Sequence, residues 1–385
     1  MWIYLGVFGL SIALTFCGES LRKKKNTAGC AVCLILAVLA VAVLAGVRDF
    51  TVGTDGDAYR WWVWDAENAS SILDVMKQGQ GTEPVYRILT YIAIRTLGGI
   101  NGLFFFSALL TYAFVMAALA LLRDHIFLPY GWAAYLFLFY SNSLNQLRQA
   151  LAMTIVLLGI TLVMQKKYLP GVLLLVLAVG AHNTAVLGIG MLLVYLILKK
   201  WDTLPVRTVM VAGLAGAAAF YQPLFRLLAR LGLPISRFAG YLETGDVHFS
   251  LNPILVRLPF LVLALWLYRE FSAEDTEGKG SFTRADADFL LIMMAAELVT
   301  AEMRIISVDI YRISLYFGVL RCVLIGRTAQ VLARKEENKT FFRLVLAGMM
   351  ALLVLIWIYQ VVLKGNDAII PYTSTLLHIG TQAAA

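Results

Sequence analysis

The chain has 385 residues, 60% of them hydrophobic and only 15% charged, and apolar runs of about twenty residues recur along it, a pattern that excludes a water-soluble globular protein. Its formal net charge of +8 is spread over short loops, which fits membrane topology and anionic lipid, so no nucleic-acid partner is expected. No segment between the runs is long and mixed enough to build a soluble core, so residues 1–385 read as one transmembrane domain.

The first run, Met1 to Cys17, has no basic stretch before it and no small-residue cleavage site after it, as expected of a retained span rather than a signal peptide. Ten of the twelve lysines fall in "RKKK" at 22–25, the pairs at 166–167 and 199–200, Lys279, and "ARKEENK" at 333–339; the positive-inside rule places those segments in the cytoplasm. Spans follow near 1–18, 28–47, 102–122, 128–141, 148–164, 168–181, 183–198, 206–221, 254–268, 286–302, 312–326 and 341–363. The expected fold is all-α, a polytopic membrane protein with about 11–12 transmembrane helices. External loops cover 48–101 and 222–253, a cytoplasmic loop covers 269–285, and both termini lie outside. Cys17, Cys30, Cys33 and Cys322 sit in or at the ends of apolar runs, and the "CAVC" pair reads as small buried hydrophobes rather than a metal or redox site.

"RDFTVGTDGDAYRWW" at 48–62 breaks this pattern with charges, glycines and aromatics directly after the second span. Arginines gather on the same side: Arg48, Arg60, Arg87, Arg95, Arg148, Arg226, Arg230, Arg237, Arg304 and Arg312. A guanidinium presents a fixed fork of donors to phosphate or carboxylate oxygens, so the bias suggests an anionic ligand at the outer leaflet. Two external stretches have the period of helices lying in the interface. In "EPVYRILTYIAIR", Arg87, Tyr91 and Arg95 recur every four residues with Val85, Ile88, Leu89 and Ile92 on the other side; residues 222–240 carry Arg226 and Arg230 one turn apart. "DGD" at 55–57 mimics a metal-binding motif of nucleotide-sugar enzymes. Those donors are cytoplasmic and this loop points outward, so no metal and no cofactor is expected.

Between Tyr168 and Ile197 the chain is apolar except for "AHNT", yet both flanks carry lysine pairs, so the segment must cross and return. Each arm has about 14 residues, or roughly 21 Å of helix against a hydrocarbon core of roughly 30 Å. The reversal at Gly180–Thr184 should therefore be recessed, and an imidazole there is tolerable only in a protein-enclosed or watery cavity. Arg148 opens a span entered from outside, and Arg312 opens another; both mark candidate functional positions.

"RDFTVGTDGDAY", "EPVYRIL", "LRQALA", "GAHNTA" and "YRISLYF", in this order over residues 48 to about 317, resemble the EpsG family of polysaccharide-assembly proteins, which belongs with the Wzy-type O-antigen and capsule polymerases. The resemblance implies an all-helical, GT-C-like glycosyltransferase of the bacterial cytoplasmic membrane. It would act at the external face on glycans carried by undecaprenyl pyrophosphate, with membrane lipid and a chain-length regulator as further partners. It maps onto Arg48, Asp55 and Tyr59, onto Glu83 and Pro84, onto Arg148 and Gln149, onto His182, and onto Tyr311, Arg312 and Tyr316; Thr184 stands where the family usually has serine. The catalytic set is then His182, Arg148, Asp55 and Glu83. The substrate-binding set is Arg48, Asp57, Tyr59, Arg87, Arg304, Tyr311, Arg312 and Tyr316. Arg148 and Arg312 would stabilise the departing pyrophosphate, and one of His182, Asp55 or Glu83 would serve as general base. Asp55, Asp57, Tyr59 and the Trp61, Trp62 and Trp64 cluster offer carboxylates and flat faces to sugar rings.

Two other readings compete. An O-antigen ligase uses a similar donor with a different acceptor. A lipid-glycan flippase or transporter also fits external arginines and a broken helix, but it requires a polar path towards the cytoplasm, and the inner halves of the spans read as almost uncharged.

Overall fold

The computed structural model describes residues 1–78, 82–201, 203–219, 251–273, 282–302, 311–335 and 338–380. Among these there is no β-strand. The chain runs α1 (Trp2–Lys23), α2 (Thr27–Gly46), α3 (Gly56–Asn68), α4 (Ile72–Gln78), α5 (Pro84–Leu97), α6 (Gly99–Leu121), α7 (Leu128–Leu138), α8 (Tyr140–Asn145), α9 (Leu147–Met164), α10 (Tyr168–Ala181), α11 (Leu187–Lys200), α12 (Leu204–Ala219), α13 (Leu251–Ala273), α14 (Arg284–Glu302), α15 (Ser314–Gly318), α16 (Arg321–Arg334) and α17 (Lys339–Trp357). Eight segments among the described residues are long and apolar enough to cross a membrane, as expected of an all-α, multi-pass membrane protein. The apolar α10 is shorter at 14 residues, and α7, α12 and α14 cover three further spans expected from sequence. The span expected at 312–326 is interrupted between α15 and α16.

The chain divides into two compact units, one of residues 1–186 and 325–385, the other of 187–324. In the first, α2 packs against α1 and α6, and α9 against α6 and α10. Small residues permit these approaches. Gly18 meets Cys30, Cys33 and Leu34, so the "CAVC" cysteines are packing groups of the α1–α2 seam. A Cβ on Gly159 would lie 3.1 Å from the Gly171 carbonyl oxygen, and one on Gly171 would lie 2.8 Å from that of Gly159. Such a crossing brings backbones close enough for dispersion to hold helices in a lipid-like medium, where no hydrophobic effect drives them together. It also fixes the helix that carries Arg148 against the one that leads to His182.

The first unit is polar in its layout. At one end Arg22 pairs with Asp124 at 2.9 Å, and Arg327 donates to the carbonyl of His125 at 2.8 Å, so the lysine-rich turns after α1 and α16 share an end with the α6–α7 turn. At the other end lie residues 47–56, α3 to α5, and the C-terminal tail. That tail was expected only to be external; here it straps the opening stretch. Asp49 N–H donates to Thr373 O at 3.0 Å and Gly53 N–H to Ala368 O at 3.1 Å. Tyr4 donates to Ile369 O at 3.0 Å and Tyr372 to Leu44 O at 2.9 Å.

In the second unit, α13 and α14 pack together and α14 also touches α11, α12 and α15. The reading of almost uncharged inner spans needs correction here. Near its start α14 buries Asp286, which accepts from Tyr195 at 2.8 Å, and Asp288, which pairs with Arg207 at 2.8 Å. Farther along, Glu297 takes a two-point contact from Arg321 and lies 3.2 Å from Arg257. A buried carboxylate survives in such a place because a guanidinium repays its lost hydration. The sequence reading passed over these acids, and the arginines that face Asp288 and Glu297 come from other helices.

Candidate active site

Glutamate is a weak helix cap, and Glu83, at the N-cap of α5, makes no side-chain cap bond. Pro84 at the first helical position supplies the preset φ and needs no acceptor. The freed carboxylate points outward instead. Its Oε2 accepts from Arg148 Nη1 at 2.6 Å, and its Oε1 accepts from His182 Nδ1 at 2.8 Å and from the backbone N–H of Asn183 at 3.1 Å. Three donors from two other segments thus converge on one side chain that is 13% exposed.

Each donor is placed by its own local structure. Arg148 stands in the first turn of α9, whose N-terminal N–H groups add positive potential around it, and its guanidinium lies 4.6 Å from the Trp62 ring centroid. His182 ends α10 in extended backbone, φ −158° and ψ 126°, so the helix stops there before a single 3₁₀ turn, Asn183–Val186, leads on. Two 14-residue helices flank that break, as the spacing of the lysine pairs predicts. Asn183 N–H is an orphan of the helix start, and Glu83 satisfies it from another element. Gly180 makes the approach possible, because a Cβ there would fall 2.6 Å from Val85 Cγ2.

Burial alone pushes the Glu83 carboxyl up, but the His182 hydrogen bond, the Arg148 charge and the Asn183 N–H outweigh it and hold the group at about 2. An ionised carboxylate only accepts, so His182 Nδ1 must carry the proton it donates. A neutral imidazole in this tautomer keeps Nε2 as its acceptor. The arrangement is that of an oriented base beside a fixed cation.

The opening stretch folds as a support around this trio. Arg48 is 1% exposed; its guanidinium donates to the carbonyls of Val52 and Leu144 and lies over Phe104 at 4.1 Å. Tyr59 is likewise buried, donating to Asn145 O and accepting from Leu147 N–H at 3.1 Å, so it braces the start of the Arg148 helix. Gly53 has φ +110°, and a Cβ there would strike Asn145 Oδ1 at 2.2 Å; no other residue fits. Asn145 completes the joint, accepting from Thr54 N–H and donating to Asp367 O, each at 2.8 Å. Sequence reading passed over Asn145 and the tail; the strained glycine was its only pointer to them.

The remaining expected residues divide as follows. Asp55 accepts from Thr54 at 2.8 Å at the start of α3, and Asp57 faces solvent, 3.8 Å from Arg60; neither contacts Glu83, Arg148 or His182. Arg87 donates to Met76 O at 2.9 Å. The interfacial reading of α5 shifts in register: its buried face is Tyr86, Leu89, Thr90, Ala93 and Ile94, while Ile92 is 38% exposed. The stripe expected to face water instead covers the carbonyls of Met76, Ser70 and Ala69 through Arg87, Tyr91 and Arg95. In the second unit Tyr311 accepts from Arg257 at 3.1 Å, Arg312 lies in the turn before α15, and Tyr316 is buried on α15. Gly318 leaves room for the Glu297 carboxylate, whose Oε1 would be 2.7 Å from a Cβ there. Arg304 and residues 222–240, with Arg226 and Arg230, lie outside the described residues.

No curated protein and no solved structure matches the chain. The family model described as "EpsG family" matches residues 31–374. That interval holds most of the second span, the opening stretch, the Glu83, Arg148 and His182 trio, the second unit and most of the strapping tail. With nearly its whole length matched, this multi-pass membrane protein belongs to the EpsG family of polysaccharide biosynthesis.

Proposed function

We propose that this protein is a GT-C-type polymerase that moves a growing glycan from undecaprenyl pyrophosphate onto a lipid-linked repeat unit. The work is done at the external face of the bacterial cytoplasmic membrane, without a metal. The observation that carries the reading is the Glu83 carboxylate held at once by Arg148, His182 and Asn183. The layout supports the external side: the lysine-rich turns of the first unit lie at the end opposite the trio, and the positive-inside rule assigns lysine-rich turns to the cytoplasm.

In the step proposed, a hydroxyl oxygen of the acceptor sugar bonds to the anomeric carbon of the donor glycan. The bond from that carbon to the phosphate oxygen breaks, its electron pair leaving with the pyrophosphate. His182 Nε2 takes the hydroxyl proton, with Glu83 fixing the ring through Nδ1. Glu83 at about 2 is too weak a base to do this itself, so its part is orientation. Arg148 offers a guanidinium to the charge growing on the departing diphosphate, in a partly desolvated site where such donors count most.

The test is purified protein with a synthetic undecaprenyl-pyrophosphate repeat unit, no nucleotide sugar, and chelator present. A ladder of repeats that vanishes in His182→Ala and Arg148→Ala supports the reading. Absence of any ladder, with transbilayer movement of the lipid in liposomes, replaces it with a flippase, and a single transfer to a lipid A core replaces it with an O-antigen ligase. The buried pairs of the second unit are what a transporter reading would use. They are closed on partners of their own, however, and the apolar run Phe289–Ala296 separates Asp288 from Glu297.

A further inference from the structure

Helices α3, α4 and α5 belong to none of the eight membrane-crossing segments, and a shallow cleft open to solvent lies among them. Its lining includes Trp62, Asp65, Val75, Thr82, Arg87 and Thr90. Two of its walls reach the active site: Trp62 lies beneath the Arg148 guanidinium, and Thr82 directly precedes Glu83.

The polar groups in this cleft are held ready rather than used. The Asp65 carboxylate takes no hydrogen bond or ion pair among the described residues. Arg87 spends one terminal nitrogen on Met76 O, while its Nε–H is buried without a partner. The two do not pair with each other within 4.0 Å. An acceptor and a donor kept apart over an apolar floor of Trp62, Ala66 and Val75 match one ligand chemistry well. A sugar ring donates hydroxyls to a carboxylate, accepts from a guanidinium, and lays its C–H face on an indole. A phosphate would meet the Asp65 charge, and a polyprenyl chain would strip water from Asp65 and Arg87 while giving them nothing in return.

We propose that this cleft binds an uncharged, hydroxyl-rich sugar of the glycan, the ring adjoining the bond being made; the inference rests on the polymerase reading. It replaces Asp55 and Asp57 by Asp65 as the carboxylate that recognises hydroxyls.

The experiment has two arms. In the first, a lipid-free oligosaccharide one repeat unit long, released by mild acid from the cell's own polyprenyl carrier, is titrated against the purified protein by calorimetry. Saturable binding to wild type that weakens about ten-fold or more in Asp65→Asn is expected; Asp65 bonds nothing through its side chain, so the variant folds. In the second arm, Asp65→Asn and Arg87→Gln raise KM for the lipid-linked repeat about ten-fold with kcat within about three-fold, and Asp65→Glu restores part of the loss. If wild type makes no ladder, the polymerase reading falls and the binding arm alone judges the cleft. Equal oligosaccharide affinity in wild type and Asp65→Asn overturns the sugar site, whether or not a ladder forms.

Discussion

Glu83→Gln is the most informative perturbation because it keeps the shape of the side chain and removes its charge. Three donors converge on the native carboxylate; an amide has one oxygen to offer, and its NH₂ must face at least one of those donors. Hydrogen bonds to a charged group contribute about 1.5–3 kcal/mol each, and breaking a fully buried ion pair costs about 3–5 kcal/mol. Arg148 is 23% exposed, so water recovers part of its hydration and about 2–3 kcal/mol of stability is the expected loss. The chemical effect is larger. Without the carboxylate, nothing fixes the Nδ1 tautomer of His182, and kcat should fall about 10²- to 10⁴-fold while KM changes little. Turnover is followed by gel ladder with the lipid-linked repeat, and stability by thermal melting in detergent. Because Glu83 acts through His182, the pair Glu83→Gln/His182→Ala should be no slower than His182→Ala alone. The orientation argument is refuted by Glu83→Gln turnover within about three-fold of wild type, or by losses that multiply in the double variant.

Other perturbations read other joints of the same site. Acid should weaken the protein through Glu83, whose carboxyl is held in the folded state at about 2, well below its ordinary 4.5, by the His182 hydrogen bond and the Arg148 charge. A depressed carboxyl stabilises the fold above its unfolded value, so this share is complete above pH 4.5 and is lost as pH falls towards 2. The melting difference between wild type and Glu83→Gln should shrink over that window, and a constant difference contradicts the assignment. Gly180→Ala, which sets a Cβ 2.6 Å from a stiff valine methyl, should cost about 1–3 kcal/mol and lower kcat by separating His182 from Glu83; an unchanged melting point and rate refute it. Arg148→Lys keeps the charge but loses the fork and the Trp62 stack, so kcat should drop about ten-fold or more. Truncation after Lys364 removes the acceptors of Gly53 N–H and Asn145 Nδ2; the chain should still insert, yet residues 48–56 should become protease-sensitive and activity should fall.

Much of this was legible in the chain itself. Apolar runs and lysine pairs fix the class, the spans and the break at His182, because burial in lipid constrains length and charge so strongly that local sequence must obey. The same logic singled out Arg148 and His182, and the resemblance to the EpsG family added Glu83. It did not say that they touch, since they are 65 and 99 residues apart and no periodicity encodes a contact across helices. Arg48 and Tyr59 show the complementary gap: from sequence they read as ligands for substrate, and packing turns both into struts by offering backbone carbonyls to their donors. The direction of a polar side chain at an interface depends on what happens to lie within reach. That was decided by the crossing of α9 and α10, by Val85 closing on Gly180, and by a tail folding back over three hundred residues onto the opening loop.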